Sequence, residues 1–421
     1  MAFLVPLAGI LLALSILASL ATGLANLPQV VPGILQLISG VILWPHVPAR
    51  VRRQSLYLVL VGCVCLLAST QTVSLTTAFS KNHPLIAMIA AIGMLRRVQL
   101  SKDKEDLPQG QKALWQTLFG VHFLGSAINV SALAIFADHL VDTRGRLQSF
   151  QGVMLARGFS LAALWSPFFV AMGVALTYAP GANYRTLMLW GIPLSQFLLA
   201  AMIRLVIRQK PKEVAKFQGY PFRLAALIGP LILTTTVLLG HFLFPTVSII
   251  ILITLLTPIY SLLANLNNRP LQILSQYICR DMTGMGPEIV LFVSAGILGS
   301  GLSSLVAGYS MNLNGGQNQI LLVSAGLAII LAASCVGIHP VVGITVVSGV
   351  LAVANIPPTL LAMSFLISWA LGVLINPISG IHLFLSGRYA FDARNAWRWN
   401  FRFVGLAYAI GCAWLYLFSL T

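Results

Sequence analysis

The sequence predicts an all-α polytopic membrane protein of about 10–12 spans. It further predicts two structural repeats of inverted topology, each with a re-entrant hairpin and a proline-broken helix. Three observations predict this. Of 421 residues, 58% are hydrophobic and only 8% charged, against roughly 25% charged in soluble proteins. Helix breakers and small polar residues interrupt the apolar segments where a plain span would carry leucine. The same order of interruptions occurs twice along the chain.

Residues 1–45 supply N-terminal spans. The run from Phe3 to Leu24 meets the requirement of about 20 apolar residues per spanning helix. It has no basic leader and no cleavage site, so it reads as a first span or membrane-embedded helix. Residues 46–205 form the first repeat, with Arg50, Arg52, Arg53, Arg96, Arg97, Lys102 and Lys104 outside its apolar runs. Residues 206–221, with Arg208, Lys210, Lys212 and Lys216, are a cytoplasmic linker. Residues 222–387 form the second repeat, and 388–421 a basic loop with Arg388, Arg398 and Arg402 and a last span. The net charge of +16, from 25 basic and 9 acidic residues, follows this loop pattern. That is the bias of cytoplasmic loops, and no nucleic-acid partner is expected. Cys63, Cys65, Cys279, Cys335 and Cys412 are scattered and read as packing residues without metal spacing.

The duplication rests on register. Pro84 and Pro258 stand 174 positions apart, as do Gly125 and Gly299, Ser126 and Ser300, and Ser160 and Ser334; Pro167 and Pro340 stand 173 apart. Arg144 and Arg146 place the first interrupted segment inside. The loop with Asn312, Asn314, Gly315 and Gly316 lacks a basic residue, which suits the outside. The two segments then enter from opposite faces, as in inverted-repeat transporters.

In hydrocarbon every backbone polar group must be paired, so irregular backbone persists only where protein or a water-filled cavity surrounds it. The stretch Leu124 to Ser131, with Ser126, Asn129 and Ser131, and the stretch Leu298 to Leu305, with Ser300, Ser303 and Ser304, read as hairpin tips whose helix ends offer partial charges to an ion or carboxylate. Tight helix packing through small residues is the other reading. Ser166-Pro167 and His339-Pro340 break two further spans, because proline removes a backbone bond. A simple kink is the plainer account. Thr345 follows on the second broken helix and can face a cavity. Glu288 opens the segment after Gly286-Pro287; it reads as a first-turn cap or as a proton or cation coupling group. Arg157 either snorkels to the surface or holds an anion.

With its paired tips, reading Ser126-Ala-Ile-Asn129 and Ser300-Gly-Leu-Ser303, and its paired proline breaks, the chain resembles the ion transporter superfamily. That group includes the divalent anion/sodium symporters, the arsenite and citrate permeases and the large membrane subunits of tripartite dicarboxylate transporters. The resemblance spans roughly residues 56–390 by organisation. It implies a scaffold and a moving transport part, with Ser126, Asn129, Ser300, Ser303 and the turns at Pro167 and Pro340 as binding elements.

The expected function is secondary active transport of a small organic anion, a carboxylate, coupled to Na+ or H+, by an elevator-like movement. The expected partners are that anion, the bilayer and a second copy as a homodimer, and the expected location is a bacterial inner membrane. No cofactor beyond the coupling ion, no metal and no enzymatic site is expected, because no phosphate-cradling loop and no His/Cys/Asp cluster is readable. A cation/proton antiporter and a membrane-embedded lipid-carrier or polymer-assembly protein stand as alternatives.

Overall fold

The structure is a computed structural model that describes residues 4–25, 27–71, 73–97, 108–220, 227–308 and 318–421, apart from the side chains of Arg394 and Ala396. Lys102 and Lys104, the loop from Asn312 to Gly316, and the span starts Phe3 and Phe222 lie outside the described residues. Among the described residues twenty α-helices follow one another: α1 (Leu4–Ala25), α2 (Val30–Leu43), α3 (Ala49–Ala68), α4 (Leu75–Ser80), α5 (His83–Gly93), α6 (Gly110–Ile128), α7 (Val130–Leu140), α8 (Ser149–Leu161), α9 (Val170–Tyr178), α10 (Tyr184–Gln209), α11 (Pro211–Ala215), α12 (Ile228–Leu243), α13 (Ile249–Leu263), α14 (Pro270–Gln276), α15 (Gly286–Gly308), α16 (Gln319–Cys335), α17 (Pro340–Leu351), α18 (Pro358–Ile375), α19 (Gly380–Tyr389) and α20 (Ala396–Phe418). Among the described residues the one extended pairing is an isolated bridge between Gln109 and Gln218.

Short polar signals set the helix starts. Ser74 accepts from the Thr77 N–H at 3.2 Å before α4, and Asn183 from those of Arg185 and Thr186 at 3.0 and 3.2 Å before α10, each satisfying first-turn donors. Pro358 occupies the first turn of α18, where its missing N–H costs nothing. That helix stops at Asn376, whose ψ of 116° is the extended backbone a following proline imposes.

Among the described residues six helical runs are long and apolar enough to cross a bilayer: Leu4–Ala25, Ala49–Ala68, Tyr184–Gln209, Pro270–Gly308, Pro358–Tyr389 and Trp397–Phe418. Six shorter apolar helices accompany them among the described residues. The exposed surface is inverted relative to a soluble protein. On α1 the buried face carries Ala8, Gly9, Ser15, Ser19 and Thr22, while Leu7, Ile10, Leu14 and Leu17 are exposed. On α3, Leu56, Leu60, Val64 and Leu67 are exposed. Water would oppose that arrangement, and lipid suits it. The chain is an all-α, polytopic integral membrane protein.

The chain forms two compact units, each drawing on both halves of the sequence. Unit 1 comprises Met1–Gln99, Ile232–Gly316 and Thr345–Asn355. Its core is the crossing of α3 and α15, with α1 on α2 and α5 on α13 beside it. A π-helical turn, Tyr277–Asp281, joins α14 towards α15 and packs on α1. Unit 2 comprises Leu100–Leu231, Gln317–Ile344 and Ile356–Thr421. Its axis is α18, buried at every position from Leu360 to Ile375. Around it pack α8, α9, α10, α16 and α20. An apolar helix without a polar face belongs at such a centre.

Candidate functional site

Unit 2 gathers Ser126, Asn129, Ser131, Ser166, Pro167, His339 and Pro340, whereas Glu288, Ser300, Ser303, Ser304 and Thr345 belong to unit 1. The first interrupted segment is a helical hairpin. Asn129, at φ 54° and ψ −137°, reverses the chain between α6 and α7. Tyr220 shows the reversal: its N–H donates to Thr117 Oγ1 at 2.9 Å, and its ring lies 4.1 Å from that of His139. Were α6 and α7 collinear, Thr117 and His139 would be about 33 Å apart. Asparagine tolerates a positive φ better than most side chains. At the tip Ser126 is buried and its hydroxyl donates to Phe123 O at 2.7 Å. Asn129 and Ser131 are half-buried and hold no hydrogen bond through their side chains among the described residues.

The tip meets the first proline break. After α8 the chain makes a 3-10 turn, Ala162–Leu164, and then runs unwound to the start of α9 at Val170. In that gap the buried Ser166 hydroxyl donates to Ser126 O and accepts from the Phe168 N–H at 3.1 Å. Pro167 is buried beside it. His122 fixes Trp165: its Nδ1 bonds Gly158 O at 3.0 Å, which requires a proton on Nδ1. Nε2 is then the acceptor for Trp165 Nε1–H at 3.1 Å and for the Gln196 amide at 2.9 Å.

The second break also lies on α18. Between α16 and α17 the chain unwinds from Val336 to His339. His339 Nδ1 accepts from the Val341 N–H at 3.2 Å, capping α17, and its ring stands 5.2 Å from that of Trp369. Asn376 Nδ2 donates to Ile338 O at 2.9 Å, satisfying a carbonyl that the break leaves over. The first break reaches the same helix, with Ser160 Oγ donating to Ala370 O at 2.5 Å. Beyond α18, His382 Nδ1 bonds Asn376 O at 2.8 Å, while its Nε2 is sealed without a partner.

The expectation for Leu298 to Leu305 is corrected. This stretch is the interior of the continuous helix α15, not a hairpin tip. Its small residues serve a close crossing with α3: a Cβ on Gly62 would lie 2.8 Å from backbone atoms of Ile297 and Leu298. Ser69 Oγ donates to Ser304 O at 2.8 Å. Ser300 and Ser304 are buried and Ser303 is half-buried. Glu288 stands exposed in the first turn of α15, in no ion pair among the described residues. Thr345 is fully buried on α17.

Arg157 does not snorkel. It is 8% exposed, and its Nε donates to Asn400 Oδ1 at 2.8 Å and its Nη2 to Trp399 O at 2.6 Å. Asn400 in turn donates to Leu374 O at 2.8 Å. Sequence reasoning missed His122, Gln196, His382 and Asn400. Each takes its role from a neighbour in the folded bundle, and no local motif surrounds it. Outside the hairpin, the loop after α7 is closed by Asp142, whose Oδ1 accepts the N–H groups of Arg144 and Arg146, both at 2.9 Å. The Arg146 N–H in the first place, with Arg144 and the two guanidinium charges, holds that carboxyl below its ordinary range. No group of three or more potential metal-ligating side chains exists among the described residues. Compared with known protein families and with curated proteins, the chain matches none.

Proposed function

We propose that the protein is a secondary active transporter of a small organic anion, a carboxylate, coupled to Na+ or H+, and a member of the ion transporter superfamily. One observation carries the proposal: two proline-broken helices lie against α18 within one compact unit, and a hairpin tip meets the first of them. Each break exposes carbonyls and N–H groups inside an apolar bundle, where irregular backbone is tolerated only if protein or a solvated cavity surrounds it. Half-helix ends of this kind hold anions and small cations in transporters. In this proposal Asn129 and Ser131 at the tip, with the backbone around Ser166-Pro167 and His339-Pro340, contact the solute. The elevator-like movement belongs to the hairpin-bearing part. The spacing of paired landmarks supports the inverted-repeat architecture. It also makes Ser160 and Ser334 repeat mates, and both stand at the same level of α18: Ser160 on Ala370 O, Ser334 with Pro340 at Gly372.

Reconstitution tests this. Proteoliposomes loaded under a Na+ or a pH gradient are offered labelled acetate, lactate, succinate and citrate. Gradient-dependent uptake of at least one, lowered by Asn129→Ala at unchanged thermal stability, is the expected result. No uptake under either gradient, together with stabilisation by a lipid-linked sugar, would overturn transport in favour of a lipid-carrier role.

A further inference from the structure

We infer that Arg157 is an oxyanion-binding residue, holding the carboxylate of a small solute on the outer edge of its guanidinium. The inference deepens the transport proposal and rests on it for the identity of the anion, not for the existence of the site.

A guanidinium presents five N–H donors in a planar fork and does not lose its proton in proteins. Arg157 uses one edge of that fork: Nε on Asn400 and Nη2 on the Trp399 carbonyl. The Phe403 ring covers it, with the guanidinium carbon 4.9 Å from the ring centre. The remaining edge, formed by Nη1 and the second Nη2 hydrogen, has no partner among the described residues. Nη1 is also not among the sealed, unpartnered atoms of the bundle, so it keeps some exposed surface. Two parallel N–H groups on one edge match the two oxygens of a carboxylate.

Arg157 is the ninth residue of α8, about 12 Å along the helix from Ser149. No carboxylate pairs with it among the described residues. Its two acceptors, an amide and a peptide carbonyl, carry no charge. A buried, uncompensated cation in a membrane bundle is costly, and such residues mark ion or substrate paths. By contrast, the cations Arg97 and Arg388 are each in an ion pair, with Asp281 and Asp138. The network also ties Arg157 to the elements of the candidate site. Asn400 bridges it to Leu374 O at the end of α18, and two residues on, Asn376 holds the second break through Ile338 O. The neighbouring Gly158 carbonyl anchors His122 at the first break.

An oxyanion has two sources here, a soluble carboxylate or the phosphate of an anionic lipid, and the test separates them. The full chain is placed in nanodiscs of phosphatidylcholine, and its thermal unfolding is followed with acetate, lactate, succinate or citrate. A second set contains phosphatidylglycerol and no added carboxylate. We expect carboxylate-dependent stabilisation of the wild type, weakened about tenfold or more in apparent affinity by Arg157→Gln. Arg157→Lys should retain part of it, since the charge remains and the fork is lost. Because Arg157→Gln also disturbs a buried network, Asn400→Asp provides a second variant. It keeps an acceptor for Nε at the loss of the donor to Leu374 O, adds an internal carboxylate and should weaken binding of the external one.

Stabilisation by phosphatidylglycerol alone, lost in Arg157→Gln, would keep the oxyanion site and assign it to lipid. Equal carboxylate binding by wild type, Arg157→Gln and Asn400→Asp would overturn the site, as would absence of any Arg157-dependent effect in both nanodisc sets. The transport proposal fails separately. Arg157-dependent binding without uptake under either gradient leaves the anion site standing and removes transport. Uptake unchanged in Arg157→Gln leaves transport standing and removes Arg157 from the solute's path.

Discussion

Gly62→Ala tests whether the glycine-rich part of α15 is a packing surface. Gly62 on α3 faces the backbone of Ile297 and Leu298, and an added Cβ would lie 2.8 Å from those atoms. Carbon atoms in comfortable contact stand about 3.5–4.0 Å apart, so the helices must separate by about 1 Å. The neighbour is backbone, which cannot rotate away. Overpacking of this kind costs about 1–3 kcal/mol, and backbone against backbone belongs at the upper end. Against it stands the helix propensity gained on replacing glycine, about 1 kcal/mol at most. The net expectation is about 2 kcal/mol of destabilisation, read as a lowered midpoint of thermal unfolding in detergent followed by tryptophan fluorescence. Gly405→Ala in α20 is the control. Nothing lies within 4 Å of a Cβ there, and the same propensity gain should leave the midpoint unchanged or raised. A Gly62→Ala midpoint at or above the wild-type value would refute the close crossing and reopen a turn at Leu298 to Leu305.

Three further outcomes are expected. His122→Phe leaves Trp165 Nε1–H and the Gln196 amide without their acceptor, at about 1–3 kcal/mol for each group left unsatisfied; the unfolding midpoint should fall and the Trp165 emission should shift, whereas an unchanged spectrum would count against the His122 anchor. Asn376→Ala removes the donor to Ile338 O and should raise amide hydrogen exchange around Val336 to Val342, with protection unchanged around Ser166 as the internal comparison. Acid should loosen the loop after α7: the folded Asp142 carboxyl is held low, so its contribution is complete above the ordinary carboxylate range and disappears as pH falls through the depressed value, and Asp142→Asn should make the protection of the amides from Asp142 to Leu147, taken relative to their intrinsic exchange rates, insensitive to pH across that window.

Much of the architecture was legible in the sequence because it depends on local chemistry. Proline removes a donor wherever it stands, so the breaks before Pro167 and Pro340 could be located to within a few residues. Ser126 to Asn129 could be marked as an interruption because Gly125 and small polar side chains stand where a plain span would carry leucine. The same reasoning failed at Ser300 to Ser304. A turn and a close helix crossing both ask for glycine and serine, and composition does not separate them. The difference lies in the backbone: Asn129 has a positive φ, while Gly301 is absent from the residues that do. For Arg157 the sequence left two readings, snorkelling or holding an anion, and could not choose between them. Its acceptors lie 242 and 243 positions away, and no periodicity encodes a partner at that distance.

The two Gly/Ser segments are used differently in the fold. Gly125-Ser126 and Gly299-Ser300 stand 174 positions apart, but only the first stretch contains a reversal, and the second packs against α3. The proline breaks behave differently. Both remain broken, both rest on α18, and each has a side chain that satisfies a backbone group freed by the break: Ser166 on Ser126 O and the Phe168 N–H, Asn376 on Ile338 O. Keeping two such breaks in an apolar bundle requires compensation at each, whereas a helix that simply continued would need none. A packing role is sufficient for the glycines of α15. It does not account for two compensated breaks on one buried helix beside a guanidinium with an open edge, and that coincidence is what the anion-binding and uptake measurements interrogate.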